Sequence, residues 1–447
     1  MQPPSGKARF VTGSTMRHIL AMTAAMGAGL MAIFLVDLAD IFFLSLLKKP
    51  EITAAMGFAG PVLFFTLSIC IGSAIAMGAL VARQVGMGNE DEARRFTMNV
   101  FIYGALVTGG LSLFVWLFIP QLLTLLGAHG EAHDAASAYL RILLPSMPLL
   151  SIGMSAGAAL RAIGDGKRSA LAMLSGSIVN AALDPVFIFA LDLGIEGAAL
   201  ASVCARFTMA AMALHWLHHQ HGFLTLPSRR HLRRQMPAYF GIALPAILTN
   251  IATPVGHAYV TASLAPFGDN IMSGAAVLWR IVPVAFFALF ALSGAIGPII
   301  GQNFGAGRFD RVRRTFRDSL IFVGIYVACA ALLIFLFQGQ IITAFHITGE
   351  GAALAAFFFT WLAGFFVFDG AMFAANAVYN NLGHPRLSTA FNWGKATLGT
   401  IPFVSLGAMQ FGAKGVFLGL ACGEVIFGLL SIYTCIRIIN AKSHEYA

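Results

Sequence analysis

The chain has 447 residues, of which 58% are hydrophobic and 11% are charged, and its formal net charge is +9. Soluble domains carry roughly 25% charged residues, so this composition excludes an ordinary soluble protein. The apolar stretches are long, unlike the short alternating strands of a membrane β-barrel. The composition therefore predicts an all-α polytopic membrane protein.

Apolar stretches recur along the chain, each close to the ~20 residues that a helix needs to cross a bilayer. We predict twelve transmembrane helices. In the first half they cover residues 18–46, 56–81, 97–120, 138–160, 169–191 and 197–217. In the second half they cover residues 239–264, 273–300, 318–338, 353–378, 388–408 and 416–437.

The sequence contains an internal repeat. Residues 83–95 recur as residues 302–314, and the same offset relates Gly164 to Gly383. Two homologous halves predict two six-helix bundles, as in many transporters. We call residues 1–217 the N-lobe and residues 239–447 the C-lobe, and the basic stretch 218–238 is the predicted cytoplasmic linker.

Each repeat carries a Gly-x-Gly pair where a span ends, Gly86 with Gly88 and Gly305 with Gly307. A phosphate-binding loop would have a strand before the glycines and Lys-Ser/Thr after them, and neither is present. The pairs therefore predict helix C-caps and turns.

Positive charge is concentrated on one side of the predicted membrane, with 21 of the 28 Lys and Arg residues in the N-terminus, the loops of that side and the tail. The positive-inside rule makes this side cytoplasmic, so both termini are expected inside a cytoplasmic (inner) membrane. The same distribution argues against nucleic acid as a partner. Residues 1–15 are polar and basic, so no cleavable signal peptide is expected and the first span stays as a helix.

The five cysteines lie within spans without the spacing of a metal site, so neither a disulfide framework nor a cysteine metal site is predicted. We expect no cofactor.

Ionisable residues inside spans are candidates for function, because a charge in hydrocarbon is costly. In span 1, Asp37 and Asp40 are three residues apart, and in span 5, Asn180 and Asp184 are four apart. Both spacings place the two side chains on one face of a helix. Span 6 offers Ser202 and Arg206, again four apart.

A buried carboxylate without a fixed cation favours its protonated form and can carry a proton. Asp40, Asn180 and Asp184 together also offer the oxygen ligands that Na⁺ needs. The alternative is a structural polar network that only holds helices together. For Asp37 the alternative is local pairing at a helix end. For Arg206 it is an ion pair with Asp184 or Asp37.

The second half offers a possible secondary polar or substrate site. Its members are Arg280, Asp369, Asn392, Lys395 and His257. We find no acidic neighbour for Asp369 in this half, so pairing with Arg280 or Lys395 is the simplest role, and a substrate or second-ion role is the alternative. A lone intramembrane His such as His257 more often packs and hydrogen-bonds than titrates.

Several short motifs, in this order and spacing, carry a resemblance to a known family. They are residues 38–45 (LADIFFLS), 160–165 (LRAIGD), 180–185 (NAALDP), 279–283 (WRIVP) and 298–307 (PIIGQNFGAG). With them the chain resembles the multidrug and toxic compound extrusion (MATE) family over essentially all 447 residues, and within it the DinF-like branch.

This resemblance implies two six-helix bundles around a cleft that opens alternately to each side, and cation-coupled export of amphipathic, often cationic, drugs. It assigns the coupling role to Asp40, with Tyr139, Asn180, Asp184 and Ser202 as hydrogen-bonding neighbours. Two departures stand out. Residues 26–29 lack the proline common in span 1 of relatives. Residues 241–264 lack the acidic residue that the NorM-like branch combines with an aspartate at the position of Asp369.

The sequence fits three other classes of membrane protein less well than a transporter of drugs. A flippase for a lipid-linked or lipid-like substrate needs many basic groups in its cleft, and only Arg206, Arg280 and Lys395 lie within spans. An enzyme needs a nucleophile–base or metal cluster, which Asp37 and Asp40 do not supply without a His. A channel needs a repeated selectivity filter around a symmetric pore, whereas the polar residues of the two halves differ. We therefore expect a non-enzymatic secondary antiporter, monomeric in the bilayer, that exchanges small amphipathic substrates for H⁺ or Na⁺.

Overall fold

The computed structural model describes residues 8–445, and all regular structure in that range is helical. The helices of the first half are α1 Thr15–Ser45, α2 Pro50–Gly86, α3 Glu90–Leu117, α4 Ile119–Leu125, α5 Gly130–Leu143, α6 Met147–Ala162, α7 Gly166–Pro185 and α8 Gly194–His215. Those of the second half are α9 Arg229–Leu264, α10 Asp269–Ala285, α11 Phe287–Gly305, α12 Phe309–Ala344, α13 Gly349–Phe357, α14 Phe366–Asn381, α15 Pro385–Gly394 and α16 Ile401–Glu445.

Eleven helical segments of the described chain are long and apolar enough to cross a membrane. The last of them, Pro385–Glu445, has a left-handed residue at Gly412 (φ 62°) and so comprises two spans. The twelve predicted spans are thereby confirmed. Most of them begin before the predicted span, for example Gly130–Ala162 against 138–160, because hydropathy marks only the part of a helix that lies in hydrocarbon. The eighth begins later, at Phe287 against 273, because the helix breaks at Phe286.

Glycines let the two spans on either side of Gly412 pack with their backbones in contact. A Cβ on Gly407 would lie 2.1 Å from the carbonyl oxygen of Gly415, and one on Gly423 would lie 2.0 Å from that of Gly399. Small residues at such positions are how membrane helices approach closely.

The structure interrupts several spans that the sequence predicts as continuous. Breaks lie at Phe118, at Leu144–Ser146, at Phe286, at Phe358–Phe365 and at Lys395–Gly399. Pro145, Pro148 and Pro283 lie at or next to two of these breaks. A proline removes a backbone donor and clashes with the preceding turn, so it interrupts the helix.

The break between α5 and α6 is held together by side chains. The Leu143 carbonyl accepts from Ser146 Oγ at 2.7 Å and from a guanidinium nitrogen of Arg206 at 3.0 Å. The Arg141 carbonyl accepts from the Trp116 indole at 3.2 Å. Backbone groups freed inside a membrane need such partners, because no bulk water is there to bind them.

The described chain forms two compact units. The first comprises residues 8–9 and 28–247, and the second comprises residues 10–27 and 248–445. Both α1 and α9 contribute to each unit. The boundaries of the compact units therefore differ from the boundaries of the sequence repeats at residues 217 and 239.

The connection between the halves is shorter than the predicted linker. A wide helical turn continues α8 to Gln220, and α9 begins at Arg229, so only residues 221–228 are not helical. The basic residues of the predicted linker from Arg229 to Arg234 therefore lie on the first turns of α9.

The repeated glycine pairs form helix caps, as predicted. Gly88 and Gly307 have φ of 82° and 70°. In the first copy the Asn89 amide donates to the Gln84 carbonyl at 2.9 Å. In the second copy the Arg308 amide donates to the Asn303 carbonyl at 2.8 Å. This bonding pattern is that of a Schellman motif, in which glycine adopts the left-handed conformation without a Cβ penalty.

The repeated glycines Gly164 and Gly383 also share a left-handed backbone, with φ of 85° and 88°. Nothing lies within 4 Å of a Cβ built on Gly383, so a substitution there tests the backbone alone. Gly383→Ala is expected to lower the free energy of unfolding by about 1–2 kcal/mol. Gly324→Ala in α12, also in open space, is expected to raise it by up to about 1 kcal/mol. Thermal unfolding in detergent distinguishes the two, and shifts of the same sign would contradict the strain argument.

Asp165 lies between α6 and α7 and caps α7. Its carboxylate accepts from the Arg168 amide at 3.2 Å, from the Arg168 guanidinium at 2.5 Å and from His221 Nε2 at 2.8 Å. Burial alone would raise the pKa of Asp165, but these bonds outweigh it and hold the pKa below its ordinary value of 3.8. The ionised form therefore stabilises the fold.

Because this pKa is lower in the folded state, the stabilisation is complete above the unfolded pKa and disappears as the pH falls through the folded value. Asp165→Asn is expected to lower the melting temperature clearly at pH 7, and the difference from the wild type should shrink below about pH 4. Melting curves across this range measure it. The exposed Asp134→Asn variant serves as the control, and a difference independent of pH would refute the assignment.

Candidate functional site

Asn180 connects two carboxylates inside the N-lobe. Its amide nitrogen donates to Asp184 Oδ2 at 2.8 Å and to Asp40 Oδ1 at 3.3 Å. Asp184 is fully buried, and Asp40 is half-buried. The structure therefore brings the predicted residues of spans 1 and 5 together, and we call Asp40 and Asp184 the carboxylate pair.

The local sequence explains how α7 presents its two members. Asn180 and Asp184 are one turn apart on the same face. Pro185 ends the regular helix directly after Asp184, and a wide turn over Val186–Ala190 follows. The second oxygen of Asp184, Oδ1, is buried and has no hydrogen-bond partner among the described residues. It is therefore available to a proton or a cation.

The two carboxyl groups of the pair also interact directly with each other. Carboxylates in such proximity cannot both keep a full negative charge in a buried site unless a proton or a cation joins them. Asn180 can donate to both but cannot neutralise either. The arrangement is thus chemically able to hold one proton or one small cation.

Tyr139 and Ser202 lie beside the carboxylate pair without being hydrogen-bonded to it in the described part of the chain. Tyr139 is buried, and its hydroxyl is near enough to Asp40, Asp184 and Arg206 to interact with them electrostatically. Ser202 is placed by the packing of α7 on α8, in which Gly176 lies against Ala205 and Gly197 against Phe187. These antiparallel approaches put Ser202 at the level of Asn180.

Asp37 is exposed and interacts electrostatically with Asp40. Arg206 makes no ion pair with Asp37 or Asp184 among the described residues. It donates instead to Ser146 Oγ at 2.6 Å and to the Leu143 carbonyl. The ion pair considered from the sequence is therefore absent from the described structure, because the guanidinium is used to satisfy the helix break.

In the C-lobe, Lys395 Nζ donates to Asp369 Oδ1 at 2.6 Å, which is one of the two pairings expected from the sequence. Arg280, the other candidate, is exposed and forms no ion pair with Asp369 within residues 8–445. Asn392 donates to Asn376 Oδ1 at 3.2 Å and to the Ser388 carbonyl at 2.7 Å, so it joins helices rather than this pair.

Glu424 is the functional candidate that the sequence reasoning missed. The prediction that Asp369 has no acidic neighbour in its half is wrong, since Glu424 on α16 interacts with both Asp369 and Lys395. It is 7% exposed. The signal was available, because Glu424 is an ionisable residue within the predicted span 416–437, the same criterion that selected the others.

These three charged groups border an apolar pocket of about 160 Å³. His257, Trp279 and several phenylalanine rings complete its lining. A cavity of about 150 Å³ lined by apolar side chains holds a molecule the size of benzene. The pocket is therefore large enough for one ring or one small organic cation, next to two carboxyl groups and one ammonium.

The Lys395 ammonium is the only cation of this trio, so its removal should be costly. Lys395→Met is expected to lower the free energy of unfolding by about 3–5 kcal/mol, because it leaves buried carboxylates unpaired. Adding Asp369→Asn should recover part of the loss. Lys414→Met, which removes an exposed ammonium above the Phe357 ring, should cost less than about 1 kcal/mol. Melting in detergent measures all three, and equal effects of Lys395→Met and Lys414→Met would show that the trio is not a coupled unit.

A sequence model described as MatE matches the chain twice, at residues 25–186 and 245–405, once in each half. The chain belongs to the MatE family. The double match also agrees with the internal repeat. The relation to MATE transporters inferred from the motifs is confirmed, whereas the DinF-like branch stays a prediction.

Curated relatives of the family are similar over nearly the whole chain. The FAD transporter of Shewanella oneidensis is 27% identical over 436 residues, which covers 94% of each chain. The multidrug export protein MepA of Staphylococcus haemolyticus is 22% identical over 442 residues, covering 98% of this chain and 97% of that protein. Among solved structures, the Vibrio cholerae MATE transporter VcmN is 24% identical with a TM-score of 0.91, covering 96% and 97% of the two chains. That likeness shows the fold.

Proposed function

We propose that the chain is a secondary antiporter that exports amphipathic cationic compounds in exchange for H⁺ by alternating access, with Na⁺ as the alternative coupling ion. The observation that carries the proposal is the Asn180 side chain bonded to both members of the carboxylate pair. In this proposal, Asp40 and Asp184 take up the coupling ion from outside the cell. MepA, a related protein, is named as a multidrug exporter.

The coupling follows from charge. When the carboxylate pair is ionised, it attracts a lipophilic cation and favours one arrangement of the bundle. When it takes up a proton, this attraction is lost and the other arrangement is favoured, so substrate leaves. Asp37, exposed beside the pair, adds negative charge on the same side. For Na⁺ the ligands would be oxygens of Asp40, Asn180 and Asp184.

The C-lobe pocket is proposed as a secondary site for substrate, with Asp369, Glu424 and His257 facing it. Asn392 also lines this pocket, whereas Arg280 is not among its lining residues within the described chain. We further propose that the protein acts as a monomer in the cytoplasmic membrane with both termini inside, that residues 1–217 and 239–447 are its two functional lobes, and that it needs no cofactor.

A second candidate cargo is a flavin nucleotide, because a relative similar over 94% of the chain is named an FAD transporter. The aromatic rings of the C-lobe pocket suit a planar ring better than a lipid chain. A lipid-like substrate, moved by a flippase, is the remaining alternative.

The decisive measurement uses purified protein in liposomes loaded with a fluorescent cationic dye or with FAD. Movement of the dye is expected under a pH gradient without Na⁺, and Asp40→Asn should reduce it to the level of protein-free liposomes. Asp134→Asn, an exposed substitution outside the site, should keep full movement. The same vesicles are also tested under a Na⁺ gradient at equal pH.

Other outcomes change the proposal in defined ways. Movement driven only by Na⁺ would make the carboxylate pair a sodium site. Movement of FAD but not dye would replace the drug substrate by a flavin. Full pH-driven movement in Asp40→Asn would refute the role of the carboxylate pair, and movement of neither cargo would favour a lipid-like substrate.

A further inference from the structure

The interior of the first unit contains buried hydroxyl groups that lack partners. Thr108 and Ser112 on α3, and Ser151 and Ser155 on α6, are at most 3% exposed. None of their oxygens has a hydrogen-bond partner in the described structure. Helical Ser and Thr usually bond back to the carbonyl one turn earlier, as Thr97 does to Ala93 at 2.9 Å. We call these four side chains the hydroxyl strip.

The members of the hydroxyl strip face the same space. Each helix contributes two side chains four residues apart, which lie on one face. Gly104 on α3 brings the helices together, since a Cβ there would lie 3.0 Å from Ser151 Oγ and 3.3 Å from Ser73 Oγ of α2. Gly109 lies against Pro148 in the same way. The strip therefore runs between α2, α3 and α6.

Towards the end that carries the basic loops, polar groups continue from the strip to the surface. Ser73 Oγ is 2.7 Å from the Tyr239 hydroxyl. One turn earlier on α9, Gln235 accepts from Asn99 at 2.7 Å and donates to Glu92 at 2.9 Å. Glu92 lines a surface groove of about 840 Å³.

In the opposite direction the strip leads to the coupling residues. The Cys70 thiol lies beside the hydroxyls of Thr108 and Ser151, without normal hydrogen-bond geometry, and 3.8 Å from the Met147 carbonyl. The next residue back along the chain, Ser146, accepts from Arg206. Arg206 in turn interacts electrostatically with Cys70 and with Tyr139, which stands beside the carboxylate pair.

Buried hydroxyls without partners cost free energy, and four in one strip are unfavourable unless water binds them. Water in protein interiors occupies such polar sites and makes about three hydrogen bonds there. We propose that the hydroxyl strip binds a chain of water molecules that carries protons between the carboxylate pair and the basic end of the first unit. The inference rests on the proposed proton coupling.

Each step of this relay transfers a proton from one oxygen to the next along the hydrogen bonds of the bound water, so no other reactant is consumed. Arg206 has a distinct part. A fixed positive charge next to a water chain repels an excess proton. Arg206 therefore disfavours an excess proton on the water chain and so limits leakage, while it also holds the helix break.

The first test compares two threonines of α3 that are both fully buried, Thr108 and Thr97. Thr108→Val removes the strip hydroxyl, and Thr97→Val removes a hydroxyl bonded to the backbone. If water binds Thr108, its variant melts at a lower temperature than the wild type and slows proton uptake by liposomes under a pH gradient. Thr97→Val should also melt lower but keep normal proton uptake. A higher melting temperature of Thr108→Val would show a dry, unpartnered hydroxyl and overturn the proposal.

The second test uses Ag⁺, a thiol reagent close to water in size. A variant with Cys70 as its single cysteine is compared with one that keeps only Cys435, which is equally buried but belongs to the apolar core of the second unit. Ag⁺ added from the basic side should protect Cys70, and not Cys435, from maleimide applied after unfolding. Equal protection of both, or of neither, contradicts the water chain.

These outcomes are separable from failure of the proposed function. Silver access to Cys70 and the sign of the Thr108→Val shift report on water and require no transport. If both agree with a water chain while the liposomes show no pH-driven exchange, the proton-coupled antiport and the relay built on it are wrong, although the strip is hydrated. If exchange occurs and both water tests fail, protons reach the carboxylate pair by another route.

Discussion

A charged side chain inside a helix bundle needs hydrogen-bond partners, and in the N-lobe Asn180 is the partner of two carboxyl groups. One amide group contacts two carboxyl groups, yet it brings no positive charge with it. Within residues 8–445 no basic side chain hydrogen-bonds to the carboxylate pair, so its charge is not balanced by an ion pair there. The guanidinium of Arg206, which lies beside Tyr139, bonds instead to groups of the broken helix between α5 and α6.

The two repeats share their scaffold but differ in their polar chemistry. Both have the same glycine caps, at Gly88 and Gly307. In the C-lobe, however, the carboxyl group of Asp369 is matched by an internal cation, Lys395, and Glu424 is added nearby. A site with its own ammonium has less need of an external cation. The two lobes therefore differ in how their carboxylates are paired. In the N-lobe, Asp40 and Asp184 have no ion pair in the described structure, whereas in the C-lobe Asp369 is paired with Lys395.

Much of this could be read from the sequence, since hydropathy and the repeat predicted twelve spans and the glycine caps. The pairing of Asn180 with Asp184 follows from their spacing within one helix. Other features were not predictable. The partner of Arg206 is a carbonyl freed by a helix break, and an unbroken span offers no such acceptor. The sequence marked Lys395 and Glu424 as ionisable residues in apolar spans, but it did not show that both would meet at Asp369.

The sequence by itself determined that the chain crosses a membrane twelve times, that it is duplicated and that few charged residues lie inside it, because these properties depend on local composition and period. Only the tertiary structure decided which of those residues meet, where helices break and which hydroxyls remain without partners. The physical reason is that the bilayer enforces helices everywhere, whereas the contacts between helices depend on packing at glycines and prolines that lie far apart along the chain.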